Sequence, residues 1–80
     1  MKLKGKIKKI DIRKTFQGGQ IAFVIFTPES EQDMELIVYP YTFQKVARFL
    51  ETPGMLVTVT GVMQSHDRGE YLMVQKIEPA

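Results

Sequence analysis

The sequence predicts an all-β domain with one short helix, folded as a five-stranded Greek-key barrel. Most of the chain alternates apolar and polar residues with a period of two, which is typical of half-buried strands. The period changes once, where Phe43, Val46 and Leu50 recur at spacings of three and four residues and predict a single helix. An 80-residue chain builds one small core, so we expect a single domain across residues 1–80.

The first strand is predicted over residues 2–14. Apolar residues alternate with lysines up to Ile7, the alternation slips at residues 8–9, and it resumes at Ile10. One slipped residue within a long strand is typical of a β-bulge, which bends the strand so that it can serve both sides of a barrel. Residues 15–20 contain two glycines and predict a hairpin turn.

The second strand is predicted over residues 21–27, which are rich in β-branched and aromatic side chains. If Phe26 points into the core, the period of two places Phe23 and Ile25 on the outer face of the sheet. A large aromatic side chain on the outside of a small sheet suits a platform on which nucleobases stack.

The remaining elements complete the barrel. A third strand is predicted over residues 34–39, a helix begins near Pro40, and two further strands cover residues 56–65 and 71–78 around a turn at 67–69. Three strands, one helix and two strands, with a long bent first strand, is the element order of the OB fold. A helix at this position does not fit an SH3-like barrel, and a ferredoxin-like fold needs two helices.

Charge is unevenly distributed although the net charge is only +2. Seven of the eleven basic residues lie in the first fourteen positions, where Asp11 is the only acid, and acids concentrate between positions 29 and 35. Lysines at every second position predict either a surface that faces phosphates or the solvated side of an edge strand, where charge blocks aggregation. The sequence leaves both explanations open.

The composition argues against several classes of site. The chain has no cysteine and one histidine, which excludes disulfides and thiolate zinc sites and removes most catalytic triads. No phosphate-binding loop or dinucleotide fingerprint is present. We therefore expect no enzymatic activity, no cofactor and no metal. No stretch approaches the roughly 20 apolar residues of a spanning helix, and the lack of cysteine suits a reducing compartment, so we expect a cytoplasmic protein without membrane contact.

Short motifs are spread over nearly the whole chain. They are Gly-Lys-Ile at 5–7, Ala-Phe-Val at 22–24, Glu-Leu-Ile-Val-Tyr-Pro at 35–40, Phe-Gln-Lys at 43–45, Leu-Val-Thr-Val-Thr-Gly at 56–61 and Gly-Glu-Tyr at 69–71. Together they resemble the anticodon-binding type of OB-fold nucleic-acid domain, and they are most similar to the version carried by the alpha subunit of bacterial replicative DNA polymerase III. The resemblance implies binding of single-stranded DNA within a replication or repair assembly, without polymerase activity.

The resemblance also implies roles for individual residues. Phe23 is expected to stack on a base, Glu35 to contact a base edge, and Arg13 and Lys14 to approach phosphates. The loop at residues 27–33 departs from the family, because it is acidic and free of glycine where the relatives have a tight turn with Asp and Gly. It would repel phosphate beside a groove, so we expect it to lie away from the path of the nucleic acid or to limit affinity.

Five further candidates extend this site. Ile25 and Ile37 continue the outer apolar surface beside Phe23. Phe16, at the tip of the first hairpin, either stacks on a base or packs against its own hairpin. His66 and Arg68 lie at the second hairpin, where each contacts phosphate or base or stays solvated, and the permanent charge favours Arg68 for phosphate.

The other aromatic residues are assigned mainly to packing. Tyr39 and Tyr41 flank a proline and are expected to pack on the core or the helix, as are Phe43 and Phe49. Tyr71 either stacks on a base or ends the core.

The resulting functional hypothesis is a non-enzymatic module that binds single-stranded nucleic acid, DNA more readily than RNA. It would be a monomer or weak dimer. Other domains or subunits of a replication complex are candidate partners. One alternative is a protein-interaction or oligomerisation module that uses Phe23, Ile25 and Ile37 as an apolar patch. Another is an RNA-binding or tRNA-binding domain, because no residue pattern identifies recognition of a 2′-hydroxyl.

Overall fold

The computed structural model describes residues 1–29, 32–51, 54–67 and 69–80. Within these residues the elements are β1 (Lys2–Lys14), β2 (Gln20–Pro28), β3 (Met34–Val38), α1 (Pro40–Leu50), β4 (Leu56–His66) and β5 (Gly69–Pro79). The strands close into one barrel in the order β1-β2-β3-β5-β4, in which neighbours are antiparallel except for the parallel pair β3–β5. This is the OB fold, as the sequence predicted.

A bulge allows β1 to serve both sides of the barrel. Ile7 lies opposite Phe26 and Lys9 opposite Ile25, so Lys8 is the extra residue, at the predicted position. Before the bulge β1 also pairs with β4, and after it the described pairing continues with β2. The bend therefore turns the second half of β1 towards the β2–β3 side.

Alternation in β2 and β4 fills the barrel interior. Ala22, Val24 and Phe26 are fully buried, and so are Val57 and Val59 of β4. Their chain neighbours point outward, as the period of two requires. The core consists of Ile7, Ala22, Val24, Phe26, Leu36, Val38, Phe43, Val46, Phe49, Leu50, Val57, Val59, Leu72, Val74 and Ile77.

The helix closes one end of the barrel with an apolar face. Pro40 occupies the first turn, where its missing N–H costs no hydrogen bond. Phe43, Val46, Phe49 and Leu50 are buried in the core, which confirms helix-to-barrel packing for the two phenylalanines. In the described ranges, no helix has the length and apolar character needed to cross a membrane.

Two tyrosines lie on the surface, so the core packing expected for them is wrong. Tyr41 is 76% exposed, with the Lys45 ammonium 4.3 Å from its ring centre. Tyr39 is 37% exposed because it continues the outer face of β3, two residues after Ile37.

Candidate nucleic-acid interface

Phe23 lies at the centre of the outer face of the β1–β2–β3 sheet. Its chain neighbours Ala22 and Val24 are buried in the barrel, so the Phe23 ring points outward. Phe23 pairs with Asp11 of β1 on one side and with Ile37 of β3 on the other. The side chain is half-buried. The sheet thus holds the ring in place while part of it stays accessible for stacking.

Arg13 is positioned beside this ring. Its guanidinium carbon lies 5.8 Å from the centre of Phe23, within the range of a cation–π contact. The Asp11 carboxylate accepts a hydrogen bond from Arg13 Nε at 3.1 Å, and the ion pair between the two side chains has an Nη2–Oδ2 distance of 3.0 Å. Asp11 and Arg13 are two residues apart on one strand face, which brings the charges together. Asp11 therefore orients the guanidinium and offsets its charge.

The charges around Phe23 balance. Lys9 and Arg13 contribute two positive charges on β1, while Asp11 and Glu35 contribute two negative ones. Glu35 is half-buried on β3, opposite Ile25 of β2. A shallow depression of the surface is lined by Lys9, Asp11, Phe23, Ile25 and Glu35, among others. The structure thus brings four predicted site residues together where the charges cancel: Arg13, Phe23, Ile25 and Glu35.

An apolar row crosses the sheet from Phe23. Ile37 pairs with Phe23 and with Met73 of β5, and Met73 pairs with Val62 of β4. Ile37 is only 8% exposed although it stands outside the main core cluster, whereas Val62 is 41% exposed. Neighbours on the outer face therefore cover Ile37, which forms the floor of the row rather than an exposed contact.

Three aromatic side chains meet beside this row. The hydroxyls of Tyr39 and Tyr71 lie 3.1 Å apart, and the rings of His66 and Tyr71 have their centroids 5.2 Å apart. Ile37 of β3 lies opposite Met73 of β5. Tyr39 comes two residues after Ile37 and Tyr71 two residues before Met73, so the two side chains approach each other across the Ile37–Met73 pair. The hydrogen bond to Tyr71 raises the pKa of Tyr39 above its ordinary value.

The first hairpin places its predicted contacts on different sides. Lys14 follows Arg13 along β1, so the two side chains point to opposite faces of the hairpin. Phe16 is fully exposed at the tip, where it forms a shallow depression with Lys14 and Thr15. Arg68 lies outside the described residues. Only Arg13 of these basic candidates is shown next to Phe23.

The acidic loop lies at the other end of β2. Pro28 is five residues beyond Phe23, about 17 Å along the strand. Within this loop, Asp33 binds Lys8 at 2.8 Å and accepts a 2.8 Å hydrogen bond from the Thr27 hydroxyl. Lys8, at the bulge, thus offsets the charge of Asp33 in the loop.

A larger depression, of about 660 Å³, lies near the start of β1. Ile7, Pro28, Gly54 and Leu56 form much of its lining, and no aromatic ring lines it among the described residues. It therefore offers no stacking surface. The described part of the chain also contains no group of three or more His, Cys, Asp or Glu residues that could hold a metal ion.

Three features of this surface lie outside the residues predicted from the sequence. The first is Asp11, whose spacing of two residues from Arg13 places the pair on one strand face. Met73 and Val62 join the apolar row through the pairing of β3, β5 and β4. That pairing connects residues distant in sequence, so no local pattern identifies it.

Comparison with known proteins relates the chain by fold. No family model matches it, and no curated protein matches its sequence. A solved structure of the same architecture is that of the mitochondrial single-stranded DNA-binding protein Rim1 from S. cerevisiae, with a TM-score of 0.74. The identity is 15%, over 99% of this chain and 91% of that chain. At this identity the likeness shows the OB fold.

Proposed function

We propose that this protein binds single-stranded nucleic acid, DNA in preference to RNA, on the outer face of the β1–β2–β3 sheet. The observation that carries the proposal is the placement of Phe23, a half-buried outward ring with the Arg13 guanidinium 5.8 Å from its centre. A fixed aromatic ring with a cation beside it suits a base and its adjacent phosphate. The likeness in fold to a single-stranded DNA-binding protein supports this ligand class.

Each part of the face has a role in the proposal. A base stacks on Phe23, with Ile25 beside it and the covered Ile37 as the floor of the apolar row. Arg13 neutralises a phosphate, and Glu35 accepts a hydrogen bond from an N–H donor at a base edge. We further propose that this binding serves a cytoplasmic replication or repair assembly, as the resemblance to the polymerase III domain implies.

The balanced charge of the face sets the expected strength. With few uncompensated cations, binding depends on stacking and responds only moderately to salt, since each neutralised phosphate on a single strand contributes about −0.7 to the log–log salt slope. The isolated domain is therefore expected to bind loosely at physiological salt. Tethering to other nucleic-acid-binding domains would raise its effective affinity.

A titration of fluorescent oligo-dT and oligo-rU at low salt tests the proposal. Replacing Phe23 with Ala is expected to weaken binding by about 1–3 kcal/mol, the usual contribution of a base–aromatic stack. Tyr41→Ala is the matched control, because it removes an exposed ring from the helix rather than from this face. We expect it to bind like the parent, and oligo-rU to bind more weakly than oligo-dT.

Absence of binding by the parent at low salt would contradict the proposal. The same holds if Phe23→Ala and Tyr41→Ala bind equally well. In either case the apolar row would be better explained as a protein-docking surface, and a sizing column run over a concentration series would then test pairing of two copies.

A further inference from the structure

The first half of β1 carries a separate basic surface. Lys2, Lys4 and Lys6 are exposed on the outer face of the strand. Lys2 lies opposite Thr60 of β4, and Lys4 lies opposite Thr58. Here Lys2, Lys4 and Lys6 together are called the lysine ridge. The ridge faces the β1–β4 side of the barrel, whereas Phe23 faces the β2–β3 side.

Protection of a sheet edge does not explain Lys4 and Lys6. Gly5, between them, pairs with Pro28 of β2 and also with Val57 of β4, and Lys6 likewise has partners in both strands. The Lys4 carbonyl accepts a hydrogen bond from the Glu29 amide just beyond β2, whereas the described pairing of Lys2 is with β4 alone. From Lys4 onward β1 is therefore an interior strand of the closed barrel, and charges that block edge-to-edge pairing are not needed there.

The lysine ridge also carries uncompensated positive charge. Within the described residues, none of its three lysines forms an ion pair, whereas Lys8 pairs with Asp33. Across β4, Lys76 adds a fourth positive charge and Glu78, 3.5 Å from it, a negative one. Glu29, whose amide donates to the Lys4 carbonyl, adds a second negative charge, so two positive charges remain uncompensated. The face around Phe23 has two charges of each sign. The larger excess of positive charge thus lies away from the stacking surface.

We propose that the lysine ridge binds the phosphates of nucleotides that flank those held on the Phe23 face. Alternate residues of a strand are about 6.7 Å apart, so the ridge presents evenly spaced cations in a line. Lys6 is three residues from Lys9 at the edge of the Phe23 face, about 10 Å along β1. One extended strand can therefore pass from the stacking face onto the ridge. The inference rests on the proposed function, since both surfaces share one ligand.

Two lengths of oligo-dT separate the two surfaces. OB folds occupy about 4–16 nucleotides, so an oligonucleotide of about 4 nucleotides covers the Phe23 face and one of about 16 reaches the ridge. In a Lys4→Gln, Lys6→Gln variant, the log–log salt slope for the long oligonucleotide is expected to become shallower by about 1.4, for two lost phosphate contacts. Binding of the short oligonucleotide is expected to be unchanged.

Lys45→Gln with Arg48→Gln is the control, because it removes the same charge from the helix. Thermal melts of both variants check that the fold is kept. Equal salt slopes for parent and ridge variant on the long oligonucleotide would overturn the proposal that the ridge binds phosphates. They would not contradict binding on the Phe23 face. Equal losses in the ridge and helix variants would also overturn it, since net charge alone would then explain the effect. No binding of either length by the parent would overturn both proposals.

Discussion

The Lys8 ammonium lies 2.8 Å from the Asp33 carboxylate, so the residue inserted by the β-bulge holds the loop that precedes β3. The Thr27 hydroxyl donates to the other oxygen of the same carboxylate at 2.8 Å. One acid of the loop thus connects the bulge in β1 with the end of β2. The contact also neutralises Lys8.

The contact between Lys8 and Asp33 predicts that the stability of the protein depends on pH. The hydrogen bond from Lys8, followed by that from Thr27, lowers the pKa of Asp33 below its ordinary value of 3.8. A carboxylate with a lowered folded pKa contributes stability above its unfolded pKa, and that stability is lost as pH falls through the folded pKa. In Lys8→Gln we expect the pKa of Asp33 to rise towards 3.8, as followed by NMR titration of its carboxyl carbon. Thr27→Val should raise it less, and an unchanged pKa in both variants would contradict the assignment.

Phe26 and Phe23 separate packing from binding on one strand. Phe26 is fully buried, and its replacement with Ala is expected to cost about 3–5 kcal/mol in the free energy of unfolding. Phe23→Ala leaves no internal cavity, because its ring points outward, so we expect less than half that loss. Denaturant unfolding, analysed with the same m-value for parent and variants, measures the loss in the free energy of unfolding for each substitution. A larger loss for Phe23→Ala would show that the ring serves the fold rather than a ligand.

Local patterns were sufficient to predict most of the fold. Period-two alternation identified the strands, and its slip at residues 8–9 located the bulge at Lys8. The single change of period located the helix at Pro40–Leu50. Tyr39 was misplaced because the change from strand to helix leaves its side chain on the outer face of β3, which the apolar pattern alone does not show.

The site depends more on contacts distant in sequence. Alternation predicts that Phe23 and Ile37 face outward, but the burial of Ile37 depends on Met73, supplied by the parallel β3–β5 pair. The alternating lysines were also predicted to be outward. Pairing of β1 with both β2 and β4 shows that Lys6 lies within the barrel wall rather than at an edge. Lys4 lies there too, because its carbonyl accepts a hydrogen bond from the Glu29 amide opposite its pairing with β4.

The Tyr39–Tyr71 hydrogen bond predicts an effect at alkaline pH. Because the pKa of Tyr39 is raised mainly by this bond, its contribution to stability is present below the unfolded pKa and is lost as pH rises through the folded pKa. Tyr71→Phe keeps the ring and removes the hydroxyl. We expect the pKa of Tyr39 to fall towards its ordinary value of 10.0, as measured by ultraviolet absorbance titration. A pKa of Tyr39 as high as in the parent would show that the bond is not formed in solution.

The Asp11–Arg13 pair predicts a substitution that strengthens binding. Asp11 holds the guanidinium at 3.0–3.1 Å, and it adds a negative charge directly beside Phe23. Asp11→Asn removes the repulsion of phosphate and frees the charge of Arg13. We expect tighter binding of oligo-dT and a salt slope steeper by about 0.7, as for one additional neutralised phosphate. The pair is exposed, so its loss should change stability by no more than about 1 kcal/mol.

The control for this substitution is Glu51→Gln, which removes one negative charge beyond the end of α1. If it strengthens binding as much as Asp11→Asn, net charge rather than the position of Arg13 governs affinity. Adding Arg13→Gln to Asp11→Asn provides the second comparison. Compared with Arg13→Gln alone, the gain in the double variant should be smaller, because only the relief of repulsion is then left. A gain of the same size without Arg13 would mean that Asp11 acts only by repelling phosphate, and the assignment of a phosphate to Arg13 would be wrong.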